Sequence, residues 1–237
     1  MRAAVVSFPG LNAETEMIRT LRDIAGIPTY VARHTDAALE SDTTLAVIPG
    51  GFSYGDYLRC GAIAKVAPII AALRTHADRG GFVLGVCNGF QILTEAGMLP
   101  GALTRNESLQ FVCRDVHVIV DAKGPFTPDK GRVLRLPVAH GEGRYVADAD
   151  LVRKLEREDR VAFRYCDVDG GVSASSNANG SVGSIAGIYG GPSKNVLGLM
   201  PHPERMSETL LGGIDGRVLF DAIAKADRGR IGSVGAA

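Results

Sequence analysis

Cys87 lies in Gly85-Val-Cys87-Asn-Gly89, directly after an apolar run and directly before a stretch of helical periodicity. A nucleophile with glycines two residues to either side marks a strand-to-helix elbow, here with sulfur in place of a serine oxygen. Such a turn brings backbones too close for side chains at the flanking positions and holds the nucleophile in a strained conformation above a sheet edge. The following helix directs its N-terminus at the sulfur, which favours the thiolate. The thiol then needs a base. Five histidines are available: His34, His76, His117, His140 and His202. His202 stands in Met200-Pro-His-Pro-Glu-Arg205, after the apolar run 195–200. The prolines at 201 and 203 push Met200 and His202 into extended conformations. Residues two apart in an extended segment share a face, so Glu204 is placed to orient the His202 ring. His76, at a polar helix end, and His117, on the mixed face of an alternating run, read as solvated bystanders. A third feature is Pro49-Gly50-Gly51-Phe52, again after an apolar run, where glycines let backbone N–H groups turn toward a ligand and build an oxyanion hole.

The elements that would carry these groups alternate. Residues 3–8, 27–32, 44–48 and 81–86 read as buried strands. A helix capped by Asn12 follows the first, with Glu14 and Glu16 in its first turn and Met17, Ile18, Leu21 and Ile24 on one face. A helix over 57–77, bent at Pro68, follows the third, and a helix over 88–97 follows the fourth. Strand–helix alternation at this spacing predicts right-handed βαβ units and a mostly parallel sheet. Its carboxyl ends share one edge, so Pro9-Gly10, Gly50-Gly51, Cys87 and His202 converge there. The later part changes character. Residues 109–120 and 131–139 alternate or extend, 161–166, 183–189 and 195–200 read as strands, and 148–158 and 214–226 as helices. This predicts an antiparallel or mixed block added to the parallel half. With no internal repeat or linker, the expectation is one domain over 1–227 and a frayed, Gly-rich tail over 228–237.

Composition sets bounds. The 237 residues carry 26 basic and 26 acidic side chains, which argues against a protein held to nucleic acid or a membrane surface by charge. The four cysteines, Cys60, Cys87, Cys113 and Cys166, lack metal-site spacing and a disulfide framework. The longest apolar stretch, 62–73, is broken by Lys65 and Pro68 and is too short to span a bilayer. A cytoplasmic protein is expected.

The run Gly85-Val-Cys-Asn-Gly-Phe-Gln-Ile-Leu93 together with Pro201-His-Pro-Glu204 resembles the class I glutamine amidotransferases, or triad glutaminases. The stretch from Pro49 to Ala64, Ala139-His-Gly-Glu-Gly143 and Asn195 to Arg205 resemble, more narrowly, the glutaminase subunits of a purine-biosynthetic ligase, and the likeness covers residues 2–225. Leu11, Ala13 and Ala178 stand where that group leads one to expect Ser, Cys and Pro. The resemblance implies a flavodoxin-like α/β sandwich with helices on both faces of the sheet. It implies that Cys87 attacks the carboxamide of glutamine, that the Gly51 and Asn88 backbone N–H groups hold the oxyanion, and that His202, oriented by Glu204, protonates ammonia and then activates water against a glutamyl thioester. Gly50, Phe52, Gln91 and His140 are implied as substrate contacts. Ammonia would pass to a synthetase subunit that uses ATP and Mg²⁺ to convert formylglycinamide ribonucleotide to formylglycinamidine ribonucleotide, with a small bridging subunit between them. The chain itself has no Walker-type phosphate loop and is expected to bind neither cofactor nor metal. Two other readings are a hydrolase or chaperone-like protein of the same broad fold with another base, and an assembly subunit with a vestigial triad.

Overall fold

The computed structural model describes residues 1–234. Along the chain run β1 (Ala3–Ser7), α1 (Glu14–Arg19), β2 (Thr29–Arg33), β3 (Leu45–Ile48), α2 (Pro68–Asp78), β4 (Phe82–Val86), α3 (Asn88–Glu95), β5 (Ala102–Thr104), β6 (Val112–Val120), β7 (Val133–His140), β8 (Arg144–Val146), α4 (Ala149–Arg157), β9 (Val161–Cys166), β10 (Ile185–Gly190), β11 (Val196–Leu199) and α5 (Arg217–Val234). One nine-stranded sheet has the order β2-β1-β3-β4-β11-β10-β9-β6-β7, and β5 pairs with β8 in a separate ribbon. The neighbours from β2 to β11 are parallel and those from β11 to β7 antiparallel. The α/β expectation therefore holds, and the antiparallel block is a continuation of the same sheet rather than a layer beside it.

Burial explains the pattern. β3, β4 and β11 are buried at every residue, as strands covered on both faces must be. β7 alternates between buried and half-buried positions because one face is covered. It is an edge strand, which lets Pro137 sit in it without breaking a ladder. The chain order reverses at β1, from which β2 lies to one side and β3 to the other. Right-handed crossovers then put α1 and α2 on opposite faces and open a switch point at the carboxyl ends of β1 and β3. Two antiparallel steps from β11 to β9 and two more to β7 return the strand direction, so the carboxyl end of β7 lies on that same edge. The far end of the sheet comes back onto the centre: the His202 N–H donates to Pro137 O at 2.8 Å.

Several local expectations are corrected. Asn12 does not cap α1. The N-cap is Ala13, without a side-chain bond, and the amides of Asn12 and Ala13 instead donate to Gly50 O. The helix expected over 57–77 begins at Pro68, whose fixed φ and missing N–H suit the first helical position. Residues 57–67 form turns and a single 3₁₀ turn, with Leu58 at φ 73°. α1 continues as a π-helical turn over Thr20–Ile24. α5 runs on to Val234, beyond the expected boundary at 227. No proline interrupts it, and each added residue gains a backbone bond. Residues 235–237 of the expected tail lie outside the described residues.

Candidate active site

The elbow after β4 is built from close approaches. Cys87 has φ 52° and ψ −107°, outside the regions an L-residue ordinarily occupies. Gly85 packs on Gly89, where an added Cβ would lie 2.6 Å from the Gly89 carbonyl, and Gly89 packs on the Ile48 backbone of β3. Only hydrogen fits at either glycine, so the sequence pattern and the strained turn have one cause. The Cys87 N–H donates to Leu199 O at 2.8 Å, which ties the elbow to β11. The thiol faces Ala139 O at 3.7 Å on β7.

β11 ends at Leu199, and the chain passes through Pro201 to His202, which is extended at φ −101° and ψ 90°. A 3₁₀ turn over Pro203–Met206 brings Glu204 back beneath the ring. His202 Nδ1 lies 2.5 Å from Glu204 Oε1, and both side chains are almost wholly buried. The face-sharing expected of an extended segment is thus produced by extension at His202 followed by a tight turn. Thr20 Oγ1 and Ser207 Oγ both donate to Glu204 O and hold that turn. Burial pulls the His202 imidazolium down, but the negative charges of Glu204 and Cys87, with the hydrogen bond to Glu204, more than offset it and push its pKa up to about 10. His202 Nε2 is buried without a hydrogen-bond partner.

Gly50 joins the two halves. A Cβ built there would lie 2.6 Å from His202 Cε1 and 3.4 Å from Cys87 Cβ, so thiol-bearing and imidazole-bearing residues meet across this glycine. Gly50 O accepts from Asn12 and Ala13. Because N–H and C=O point oppositely across a trans peptide, the Gly51 N–H faces away from those residues, and Gly51 itself lines the Cys87 pocket. Asn88 begins α3, where backbone N–H groups have no partner within the helix. Neither of these two amides donates elsewhere among the described residues.

A pocket of about 200 Å³ opens beside Cys87, lined also by Phe52, Gln91, Phe111, His140 and neighbouring loop residues. Gln91 is buried, and its amide is already engaged: Nε2 donates to Glu142 O at 2.6 Å and Oε1 accepts from Asn88 Nδ2 at 2.8 Å. His140 is held by Asn106, a residue without local sequence signal. Asn106 Nδ2 donates to Gln110 O and His140 O, so its Oδ1 is the acceptor for Gly143 N–H and for His140 Nδ1–H at 3.1 Å. This fixes the tautomer and leaves His140 Nε2 as a buried, unpartnered acceptor. Burial, and then the charge of His202, lower the His140 pKa to about 4, so it is neutral at pH 7.

The other histidines lie elsewhere. His34 Nδ1 meets Tyr54 Oη at 2.8 Å, and its ring stacks on Phe8. His76 is not solvated as expected. It is half-buried against Phe82 O, and burial lowers its pKa. His117 is half-buried on β6, opposite Arg135 and Cys166. Among the described residues no group of three or more His, Cys, Asp or Glu is placed to hold a metal ion, and no helix is long and apolar enough to cross a membrane.

A strained cysteine between β4 and α3, faced by a carboxylate-bound histidine at the switch edge of an α/β sheet, places the chain in the glutamine amidotransferase class. Residues 1–213 match the CobB/CobQ-like glutamine amidotransferase domain. The phosphoribosylformylglycinamidine synthase subunit PurQ of Bradyrhizobium diazoefficiens is 52% identical over 228 residues, 95% of this chain and 97% of that protein. The subunit of the same name from Gloeobacter violaceus is 50% identical over 226 residues, 94% and 97% of the two chains. A chain in the structure of PurLQS from Thermotoga maritima superposes with a TM-score of 0.83 at 42% identity, covering 94% of this chain and 97% of that one. The chain belongs to the glutamine amidotransferase family and, within it, to the PurQ subunits of phosphoribosylformylglycinamidine synthase.

Proposed function

We propose that Cys87, His202 and Glu204 act as a triad that hydrolyses glutamine to glutamate and ammonia. Cys87 Sγ, its proton already carried by the His202 imidazolium at Nε2, attacks the side-chain amide carbon of glutamine. The developing oxyanion is taken by the Gly51 and Asn88 N–H groups. His202 returns the proton to the departing nitrogen, and ammonia leaves a glutamyl thioester. Water, deprotonated by His202, then attacks the thioester and frees glutamate and the thiol. Glu204 fixes the ring so that Nε2 faces the reaction and steadies its positive charge. Gly50, Phe52 and His140 shape the pocket, and Gln91 braces its wall.

Ammonia then serves a synthetase subunit of the PurL kind, which uses ATP and Mg²⁺ to turn formylglycinamide ribonucleotide into the amidine, with a small subunit of the PurS kind between them. The PurLQS structure from Thermotoga maritima, which contains a chain similar to this one, supports this partnership. So do the exposed apolar side chains Phe52, Tyr57, Leu58 and Phe111 in the segments that line the pocket or adjoin it, a surface a partner would cover. One observation carries the reading: the elbow cysteine and the Glu204-held imidazole meet across Gly50. Cys87→Ala is expected to lower glutamine-dependent activity at least about 10³-fold, while the assembled synthetase still works with added ammonia. Retained glutamine hydrolysis by the purified variant would refute it.

A further inference from the structure

His34 stands at the switch edge of the sheet but outside the Cys87 pocket. It follows β2, and its backbone is pinned from two sides. Its N–H donates to Ser7 O of β1 at 2.9 Å, and its carbonyl accepts from the Ile69 N–H of α2 at 3.3 Å. Its ring stacks on Phe8, a buried residue directly after β1, with centroids 6.0 Å apart. Tyr54, from the loop after β3, comes down onto this fixed pair. Its ring meets both Phe8 and His34 edge-on, and its Oη shares a hydrogen bond of 2.8 Å with His34 Nδ1. Edge-to-face aromatic contacts constrain geometry as well as bury apolar area.

The loop that carries Tyr54 is strained. Tyr54, Asp56 and Leu58 have φ of 52°, 54° and 73°, a region that bulky L-residues avoid. Residues like these, so close together, persist only where the surroundings over-determine them. On the side of α3, Ser53 N–H donates to Asn88 Oδ1 at 3.0 Å, and Asn88 Nδ2 donates to Asp56 Oδ1 at 3.1 Å. On the side of β1, Phe52 N–H donates to Gly10 O at 2.9 Å and Tyr54 N–H to Pro9 O at 2.6 Å. The Tyr54–His34 bond adds a side-chain anchor there. Tyr57 and Leu58, at the outer end, are largely exposed and supply no packing to hold the loop. The same loop contains Gly51, whose backbone bridges to Leu11 so closely that an added Cβ would lie 2.5 Å from Leu11 Cα. Gly51 thus takes its position from the two loops that Tyr54, Phe8 and His34 tie together. Neither Tyr54 nor His34 lines the pocket, so any effect of theirs on a molecule beside Cys87 passes through this backbone.

We propose that Tyr54 and His34 are positioning residues for glutamine hydrolysis: their hydrogen bond holds the strained loop in the conformation that presents the Gly51 N–H to the oxyanion. This rests on the glutaminase reading of the site. Without the bond the loop can relax out of the left-handed region, and Gly51 shifts with it. A net hydrogen bond moves such an equilibrium by about tenfold. The test is steady-state kinetics of the assembled enzyme with glutamine. Tyr54→Phe keeps the ring and its contacts and removes only the hydroxyl. His34→Phe keeps a ring on Phe8 and removes the nitrogen. Each is expected to lower kcat about tenfold with KM within about threefold, because the oxyanion forms only after substrate is bound. The double variant should lose no more than either single one, since both break the same bond. Ammonia-dependent synthesis by the same preparations should stay at the wild-type rate, which shows that folding and assembly survive. A kcat for Tyr54→Phe within twofold of wild type, a change confined to KM, or losses that multiply in the double variant would overturn the assignment. Wild-type enzyme that hydrolyses no glutamine would overturn the glutaminase reading instead, which separates the two failures.

Discussion

Replacing Gly50 by alanine inserts one methyl group where the two reacting side chains meet. The new Cβ would lie 2.6 Å from His202 Cε1, whereas carbon atoms rest about 3.5–4.0 Å apart, so the ring must retreat by roughly 1 Å. It has little room to do so. Nδ1 is held by Glu204 at 2.5 Å, the backbone N–H by Pro137 at 2.8 Å, and the residue is 2% exposed. The backbone itself accepts alanine, because Gly50 is not among the positive-φ glycines. The strain therefore falls on the His202–Glu204 contact and on the spacing to Cys87. Overpacking of this size costs about 1–3 kcal/mol of stability, which a domain tolerates, while a 1 Å misplacement of a catalytic group costs about 10²-fold in rate. Gly50→Ala is expected to fold, to melt only slightly lower than wild type, and to lose about 100-fold in kcat for glutamine hydrolysis in the assembled enzyme. A folded variant with kcat within threefold of wild type would show that sulfur and imidazole are not set against each other at this position.

His202→Ala is expected to cost nearly as much kcat as loss of Cys87, and Glu204→Ala about 10- to 100-fold less than that, because water and packing partly keep the ring in place; the opposite order would move the proton-transfer role to Glu204. Burial lowers the His202 pKa, but Glu204 and Cys87 carry it to about 10, so kcat/KM should persist to pH 9 and decline as the imidazolium is lost through pH 10; a basic limb near pH 6.5 would mean that the pair is not formed. His140 is neutral when folded, with a pKa near 4, so below about pH 6.5 the unfolded chain binds a proton that the folded chain refuses. Its contribution to stability is present above pH 6.5 and lost as pH falls toward 4, about 3 kcal/mol in all; urea unfolding at pH 7 and 4.5 should show that loss in wild type and a shallower one in His140→Gln.

The chemistry was more legible than the scaffolding around it. Gly85 and Gly89 announce the elbow because the turn excludes a Cβ there, and Pro201 and Pro203 announce the extended histidine because they restrict the backbone before them. Such local constraints leave marks in composition. Residues 57–67 mislead because they run without a clear break into the helix that starts at Pro68, yet Leu58 and Val66 are exposed and the segment folds as turns. Asn12 has the right type for a cap, but the Gly50 carbonyl captures its amide and that of Ala13. Asp56, Asn106 and Glu142 carry no periodic or spacing signal. Asp56 and Glu142 become pocket residues only when the loops after β3 and β7 meet α3, and Asn106, in the loop after β5, reaches His140 from 34 residues away, a long-range convergence that no window of sequence contains. The continuity of the nine-stranded sheet is hidden for the same reason, since alternation identifies a strand but not its neighbour.

The most direct test of the triad is to catch the covalent intermediate. Acid-quenched mass spectrometry of the assembled enzyme turning over glutamine should find a glutamyl adduct on the peptide containing Cys87. The adduct should accumulate in a variant slowed in thioester hydrolysis and be absent from Cys87→Ala. An enzyme that turns over glutamine with no adduct on Cys87, or with the adduct on Cys60 of the same pocket, would contradict it.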